Sequence, residues 1–324
     1  MRKIVYIIVF VAISACGQHQ GKEKVDSSTS SKNYNFQEAE IKKSLQFLSS
    51  DELKGRSTGS EGIEAAASYA EDIFKNYQLK PYFESYRDSF EVKGKTGYNM
   101  VAFKEGTHPQ LKNEIIMLGA HYDHIGLETQ SKKIIDNDSI ANGANDNAAG
   151  SVAVLEMAKY FANKETKRSL MFVLFSAEEM GLLGSKHLAK RLKEEKAPIY
   201  FMLNFEMIGV PLPHQDYLAY LTGFENSTLA ERFNEETGKN TFGFFEKAKS
   251  FQLFKRSDNY PFYEELNVPA QTLCTFDFSN YPYYHHVDDE MEFLDTTHME
   301  NLLKEVVIGI EALANENEKT IQLK

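Results

Sequence analysis

The apolar positions of the chain fall into two periodicities that change place along its length. Residues 36–48 and 61–79 carry helical spacing, the second with Ala65-Ala66-Ala67, Tyr69-Ala70 and Ile73-Phe74 on one broad stripe. Between them the segment from Ser49 to Gly59 has no period and reads as a loop. Extended segments follow at 86–92, 98–103 and 115–120. Helices at 148–161, 181–193 and 296–314 then alternate with strands at 170–175, 199–205, 218–221 and 269–276. Several of these strands are apolar throughout, which requires cover on both faces. The expectation is an α/β fold: a single three-layer αβα domain with a mainly parallel, mixed central sheet.

The first residues follow neither pattern. Met1-Arg2-Lys3 precedes a ten-residue apolar run, 4–13, and then Ser14-Ala15-Cys16. The run is about half the length of a membrane span. Charged start, short apolar stretch and small residues make a secretory signal. Ile13-Ser14-Ala15-Cys16 also resembles a bacterial lipobox, whose Cys becomes the acylated first residue. Residues 1–15 are therefore expected to be a lipoprotein signal, and 16–35 an acylated Cys16 with a polar, Ser-rich tether. The folded domain is expected over 36–315, with a polar tail at 316–324. This predicts an exported protein held to the bacterial cell envelope by lipid.

Lys and Arg number 36 against 47 Asp and Glu, a net −11. That balance argues against nucleic acid as a partner. Two Cys cannot build a disulfide framework.

Candidate chemistry gathers just past the C-terminal ends of the apolar strands, where open α/β sheets place ligands. His121-Tyr122-Asp123 follows the strand at 115–120, and Asn145-Asp146-Asn147 opens the helix at 148–161. Glu178-Glu179 and Glu206 follow the next two apolar strands, and Tyr284-His285-His286 follows the last. Taken singly, each has an ordinary structural reading, such as a turn, a helix cap or a hydrogen-bonded His. Together they supply imidazole and carboxylate donors without thiolate, a set that suits catalytic zinc. A shared carboxylate would let two ions about 3.5–4 Å apart clamp a hydroxide and a carbonyl oxygen.

The runs Gly119-Ala120-His121-Tyr122-Asp123-His124, Gly143-Ala144-Asn145-Asp146-Asn147, Ala177-Glu178-Glu179-Met180-Gly181 and Tyr284-His285 resemble the co-catalytic zinc exopeptidases of metallopeptidase family twenty-eight. Leu48 to Arg56 and Ser257-Asp258-Asn259 resemble further family stretches. The superfamily includes aminopeptidases, glutamate carboxypeptidases, glutaminyl cyclases and a non-enzymatic receptor. The resemblance implies a zinc-exopeptidase type of fold and two Zn2+, or one in a cyclase-like member. Asp146 would bridge the ions, Glu179 and His285 would hold one, and His121 and Glu206 the other. Asp123 would orient His121, Glu178 would act as general base and then acid, and Tyr284 would bond the oxyanion or simply pack beside the site.

Two positions depart from the pattern or leave it open. Glu206 stands where Asp is usual, and His286 competes with His285. Arg256 and Asp258 are candidate substrate contacts. The activity implied is an aminopeptidase acting on peptides, with a mono-zinc glutaminyl cyclase as the alternative; a carboxypeptidase or a non-catalytic module ranks lower. The aromatic run Phe242, Phe244, Phe245, Phe251 and Phe254 reads as packing, or as the wall of an apolar pocket.

Overall fold

The computed structural model describes residues 35–127 and 134–324; the signal, Cys16 and the tether lie outside them. Helices α1 (Glu38–Leu48) and α2 (Glu61–Asn76) come first. The Ser60 hydroxyl accepts the Ile63 N–H to start α2. Then come strands β1 (Lys80–Pro81), β2 (Arg87–Val92), β3 (Lys95–Lys104), β4 (Ile115–His121), and the short ribbon of β5 (Gly126–Leu127) with β6 (Ile140–Ala141). The alternating half continues with α3 (Ala149–Ala162), β7 (Ser169–Phe175), α4 (Leu183–Glu194), β8 (Ile199–Glu206) and β9 (Ala219–Leu221). After α5 (Leu229–Thr237), β10 (Phe242–Gly243), α6 (Glu246–Ser250), α7 (Asn259–Leu266) and β11 (Ala270–Cys274), α8 (Thr296–Asn315) closes the order.

The main sheet runs β1-β3-β7-β4-β8-β11-β9-β10, with β2 beside β3. Its centre is parallel: β4 pairs β7 and β8, and β8 pairs β11. The edge strands β1, β2 and β3 are antiparallel, as is the β9 to β11 pair. The sheet is therefore mixed around a parallel core, as expected.

Alternation along the central strands assigns the two faces. Ile116, Leu118 and Ala120 of β4 join a core with residues of α1, α2, α3, α5 and α8. Ile115 and Met117 point the other way, against Leu188, Ala189 and Leu192 of α4 and Phe262 of α7. Every residue of β4 and β7 is buried, which explains their unbroken apolar runs.

Helices α5 and α7 were not legible as such in the sequence. The polar tail at 316–324 lies against the domain: Ile321 is buried, and the buried Arg168 donates to the carbonyls of Leu313, Glu316 and Glu318. Among the described residues no helix is long and apolar enough to cross a membrane.

Candidate metal centre

Because β4, β7, β8 and β11 run parallel, their C-terminal ends meet on one edge of the sheet, and the polar residues following each strand converge there. His121 ends β4 and pairs in register with Phe175, two residues before the Ala177 bend. Ala177 adopts a left-handed φ of 57°, which swings Glu178 and Glu179 back toward the edge. Glu206 ends β8 opposite Cys274 of β11. Asp146 lies in the turn between β6 and α3, and its peptide bond to Asn147 is cis.

That turn is held from three sides. Asp289 accepts the main-chain N–H groups of Asn145 and Asp146 at 2.7 and 3.0 Å. Asn147 bridges to the exit of β8, donating to the Phe205 carbonyl and accepting the Met207 N–H. The guanidinium of Arg56, itself buried, donates to the main-chain oxygens of Leu48, Tyr122, Asn142 and Gly143. It thus joins the loop before α2 to the exit of β4 and the Asp146 turn.

The resulting cluster has Asp146 at its centre. His121 Nε2 lies 3.0 Å from Glu206 Oε1 and 3.3 Å from Asp146 Oδ1. On the other side, His285 Nε2 lies 3.2 Å from Asp146 Oδ2 and 3.1 Å from Glu179 Oε2. His124 Nδ1 stands 2.9 Å from Glu179 Oε1 and 3.9 Å from Asp146 Oδ2. Two groups thus have their donor atoms close enough to share an ion, His121–Asp146–Glu206 and His124–Asp146–Glu179, with Asp146 common to both.

The electrostatics follow from crowding acids and imidazoles out of water. Burial opposes the imidazolium of His121, yet the carboxylates of Glu206 and Glu178 prevail and hold its pKa well above the ordinary value. Burial likewise opposes the charge on His285, but Asp146 and Glu179 raise it to about 10. Burial acts against the Asp146 carboxylate too, but the imidazoles of His121 and His285 beside it carry its pKa well below the usual range. Glu178 goes the other way: burial, with Asp258, Glu206 and Glu179 nearby, raises it well above an ordinary glutamate despite the pull of His121.

The structure brings all five expected ligand positions, His121, Asp146, Glu179, Glu206 and His285, into this one cluster. His285 faces the carboxylates, whereas His286 turns to Asp288, 3.5 Å away. Asp123 differs in detail from the expectation. Its main-chain oxygen meets His121 Nδ1 at 3.1 Å, while its carboxylate stands 3.7 Å off and accepts the Glu178 N–H. Tyr284 is partly exposed and stacks on His285 with centroids 4.1 Å apart.

A cavity of about 120 Å³ opens beside the cluster, lined among others by Glu178, Met207, Tyr220, Arg256, Phe276, Phe278 and Tyr284. Arg256 therefore borders the site. Asp258 does not line the cavity: it is buried, and burial raises its pKa to about 7 even with His121 pulling the other way. Of the aromatic run, Phe244, Phe245 and Phe254 line a separate groove. Sequence reasoning gave no role to His124 or Ser257, although Ser257 Oγ donates to Glu206 Oε2 at 2.7 Å. The one signal for His124 was its place three residues after His121.

The donor set fits a pair of hard or borderline cations. Three carboxylates, Asp146, Glu179 and Glu206, meet three imidazoles, His121, His124 and His285, and among the described residues the buried Asp146 Oδ2 has no hydrogen-bond partner.

A layered α/β domain that gathers imidazoles and carboxylates at the carboxyl edge of its parallel strands is built to hold metal there. Residues 99–308 match the model of Peptidase family M28, and the chain belongs to that family. It is 34% identical over 192 residues to leupeptin-inactivating enzyme 1 of Streptomyces exfoliatus, a match covering 58% of this chain and 38% of that one. The chain spans less than two-fifths of the length of the curated relatives it matches.

Its fold is shared with BSAP, a zinc aminopeptidase from Bacillus subtilis, at a TM-score of 0.66 and 13% identity, covering 88% of this chain and 97% of that one. It is shared equally with the Porphyromonas gingivalis glutaminyl cyclase, at a TM-score of 0.66 and 15% identity, covering 85% and 98%.

Proposed function

We propose that the protein is a zinc-dependent aminopeptidase that removes the first residue of short peptides. The observation that carries this reading is Asp146 set between His121 and Glu206 on one side and Glu179 and His285 on the other, with the half-buried Glu178 beside it facing the cavity. His121 and Glu206 would hold one ion, Glu179 and His285 the other, and Asp146 both. Bound there, zinc would supply Lewis acidity to the scissile carbonyl and acidify water.

The chain's own groups do the rest. Glu178, with its pKa raised by burial, takes a proton from the attacking water and returns it to the leaving amine. Tyr284, at the cavity wall, donates to the oxygen on which charge develops. Glu178 and Glu206 present carboxylate to the substrate's ammonium group, and Phe276, Phe278 and Tyr220 give its first side chain an apolar wall.

A carboxypeptidase would need several arginines at the site. Arg191 is bound to Asp88 and Glu195, and Arg232 to Glu235 and Glu236, which leaves Arg256 alone of the three on the cavity. A glutaminyl cyclase would use a single ion and leave the His121–Glu206 side without a task, whereas that side is intact.

Metal counting on purified protein, with assays on aminoacyl anilides and N-terminal glutaminyl peptides, tests the proposal. Two zinc ions with amide hydrolysis support it; one ion with pyroglutamate formation establishes the cyclase instead. The proposal includes export and a lipid anchor at Cys16, for which mass spectrometry of the mature protein should show acylated Cys16 as its first residue.

A further inference from the structure

The five-residue ligand set leaves one imidazole of the cluster without a task. His124 is fully buried, and its Nδ1 meets Glu179 at 2.9 Å on the side of Asp146 that His285 also faces. Among the described residues its Nε2 has no hydrogen-bond partner, and the ring's polar contacts there are on the carboxylate side.

The backbone is shaped around this placement. Gly143 sits at a left-handed φ of 58°, and a Cβ there would meet the Asp146 main-chain oxygen first and then the His124 ring, 2.5 Å from Cγ and 2.6 Å from Cδ2. Its carbonyl is held by Arg56 at 3.0 Å, and the His124 N–H is directed to the Arg56 carbonyl at 3.4 Å. A side chain at position 143 would push the ring off the carboxylates; the bare backbone lets it lie there.

Four ligands around one zinc at bonds of about 2.0–2.1 Å stand roughly 3.3 Å from one another. His124 lies 2.9 Å from Glu179 Oε1 and 3.9 Å from Asp146 Oδ2, and His285 lies 3.1 Å from Glu179 Oε2 and 3.2 Å from Asp146 Oδ2, distances that straddle that value with one Glu179 oxygen turned to each ring. Two imidazoles on one such ion place their ring centres roughly 5 Å apart; the two rings here are 5.7 Å apart. The opposite side of Asp146 offers one imidazole, His121, and one further carboxylate, Glu206.

We infer that His124 is a fourth protein ligand, closing the half of the centre formed by Asp146, Glu179 and His285 while the His121–Asp146–Glu206 half keeps an open position. This rests on the metal reading proposed above. Closed four-ligand sites are the form zinc takes where it is held structurally, and three-ligand sites leave room for water or substrate. The two halves therefore differ in duty: one ion is retained, and the other exchanges and meets the substrate.

The test is stepwise loading of the metal-stripped full chain with Co(II), followed by visible absorption and chelator competition. The wild type is expected to take one equivalent tightly, with the intense band of four-coordinate Co(II), and a second at least tenfold more weakly. His124→Leu is expected to weaken the tight step at least 100-fold and leave the second in place, and Glu206→Gln the reverse. Unchanged tight binding and spectrum in a folded His124→Leu protein would overturn the assignment.

Should that variant misfold, X-ray absorption of wild-type protein carrying one equivalent of zinc decides: two imidazoles on the ion support the inference, and a single imidazole sinks it. Failure of the wild type to bind any Co(II) or zinc would instead refute the metal reading itself, and this inference with it.

Discussion

Replacing Arg56 by Met keeps most of the aliphatic stem and removes the guanidinium, so it isolates what the charged group holds. Four main-chain oxygens lose their donor, on Leu48, Tyr122, Asn142 and Gly143. Hydrogen bonds to a charged group are worth about 1.5–3 kcal/mol each, a gross loss of roughly 6–12 kcal/mol. Against this, burial lowers the Arg56 pKa from 12.5 to about 10 even with Asp289, Asp123, Asp146 and Glu179 nearby, so the folded state bears a penalty for the charge. At about 1.4 kcal/mol per unit, removing the charge returns roughly 3 kcal/mol.

The net expectation is a loss of about 3–9 kcal/mol, a large share of the roughly 5–15 kcal/mol that stabilises a typical domain. Urea unfolding of the metal-free protein, followed by circular dichroism, measures it. Arg56→Lys should fall between, since it keeps charge without the planar fork. A loss below about 1 kcal/mol for Arg56→Met would show that the three segments hold together without the guanidinium, and would refute this account of how the turn is fixed.

Other expectations are as direct. Glu178→Gln should keep its metal, by atomic emission, while turnover falls roughly 10²–10⁴-fold; a normally active variant would remove Glu178 from the proton path. Ser257→Ala takes away the 2.7 Å hydrogen bond to Glu206 and should weaken the ion on that side about 10–100-fold in chelator competition, with unchanged affinity counting against the contact. Glu290 is raised to about 7, first by burial, opposed by its bond from Asn142 and reinforced by Asp51 and Asp138. A carboxyl raised on folding adds stability below its unfolded pKa and loses it as pH climbs through its folded one. Wild type should therefore lose stability relative to Glu290→Gln as pH rises from about 4.5 to 7, and a pH-independent difference in melting temperature would contradict the half-buried placement of this acid.

Much of this molecule was legible before its fold was seen, because the central strands are buried on both faces and leave unbroken apolar runs. The strand expected at 115–120 is β4, longer by His121, and the one expected at 170–175 is β7, longer by Ser169. The helices of the last third were harder. In α7, Pro261 sits in the first turn, where a missing N–H costs little, and its aromatic neighbours mimic a strand. In α5 only Leu229, Ala230 and Phe233 are buried, too few to set a period.

The candidate ligands stood out because each follows an apolar run. What a linear reading lacked was direction. His285 takes a left-handed φ of 54°, which sends it and His286 to opposite sides. His124 sits so near His121 in sequence that its convergence on the other side of Asp146 becomes visible only in three dimensions.

Arg56 and Asp289 bind the metal-facing turn through its main chain, and the Asn147 side chain ties it to the exit of β8, so the turn's shape does not depend on which cation fills it. The carboxylates themselves, crowded onto one sheet edge, repel one another whenever cations are scarce. Shelf life is then a property of the medium as well as of the polypeptide. An ion present at a hundred times its dissociation constant adds about 2.7 kcal/mol to the folded state, so a chelating buffer should shorten the protein's survival against heat and proteases long before it alters any contact in the core.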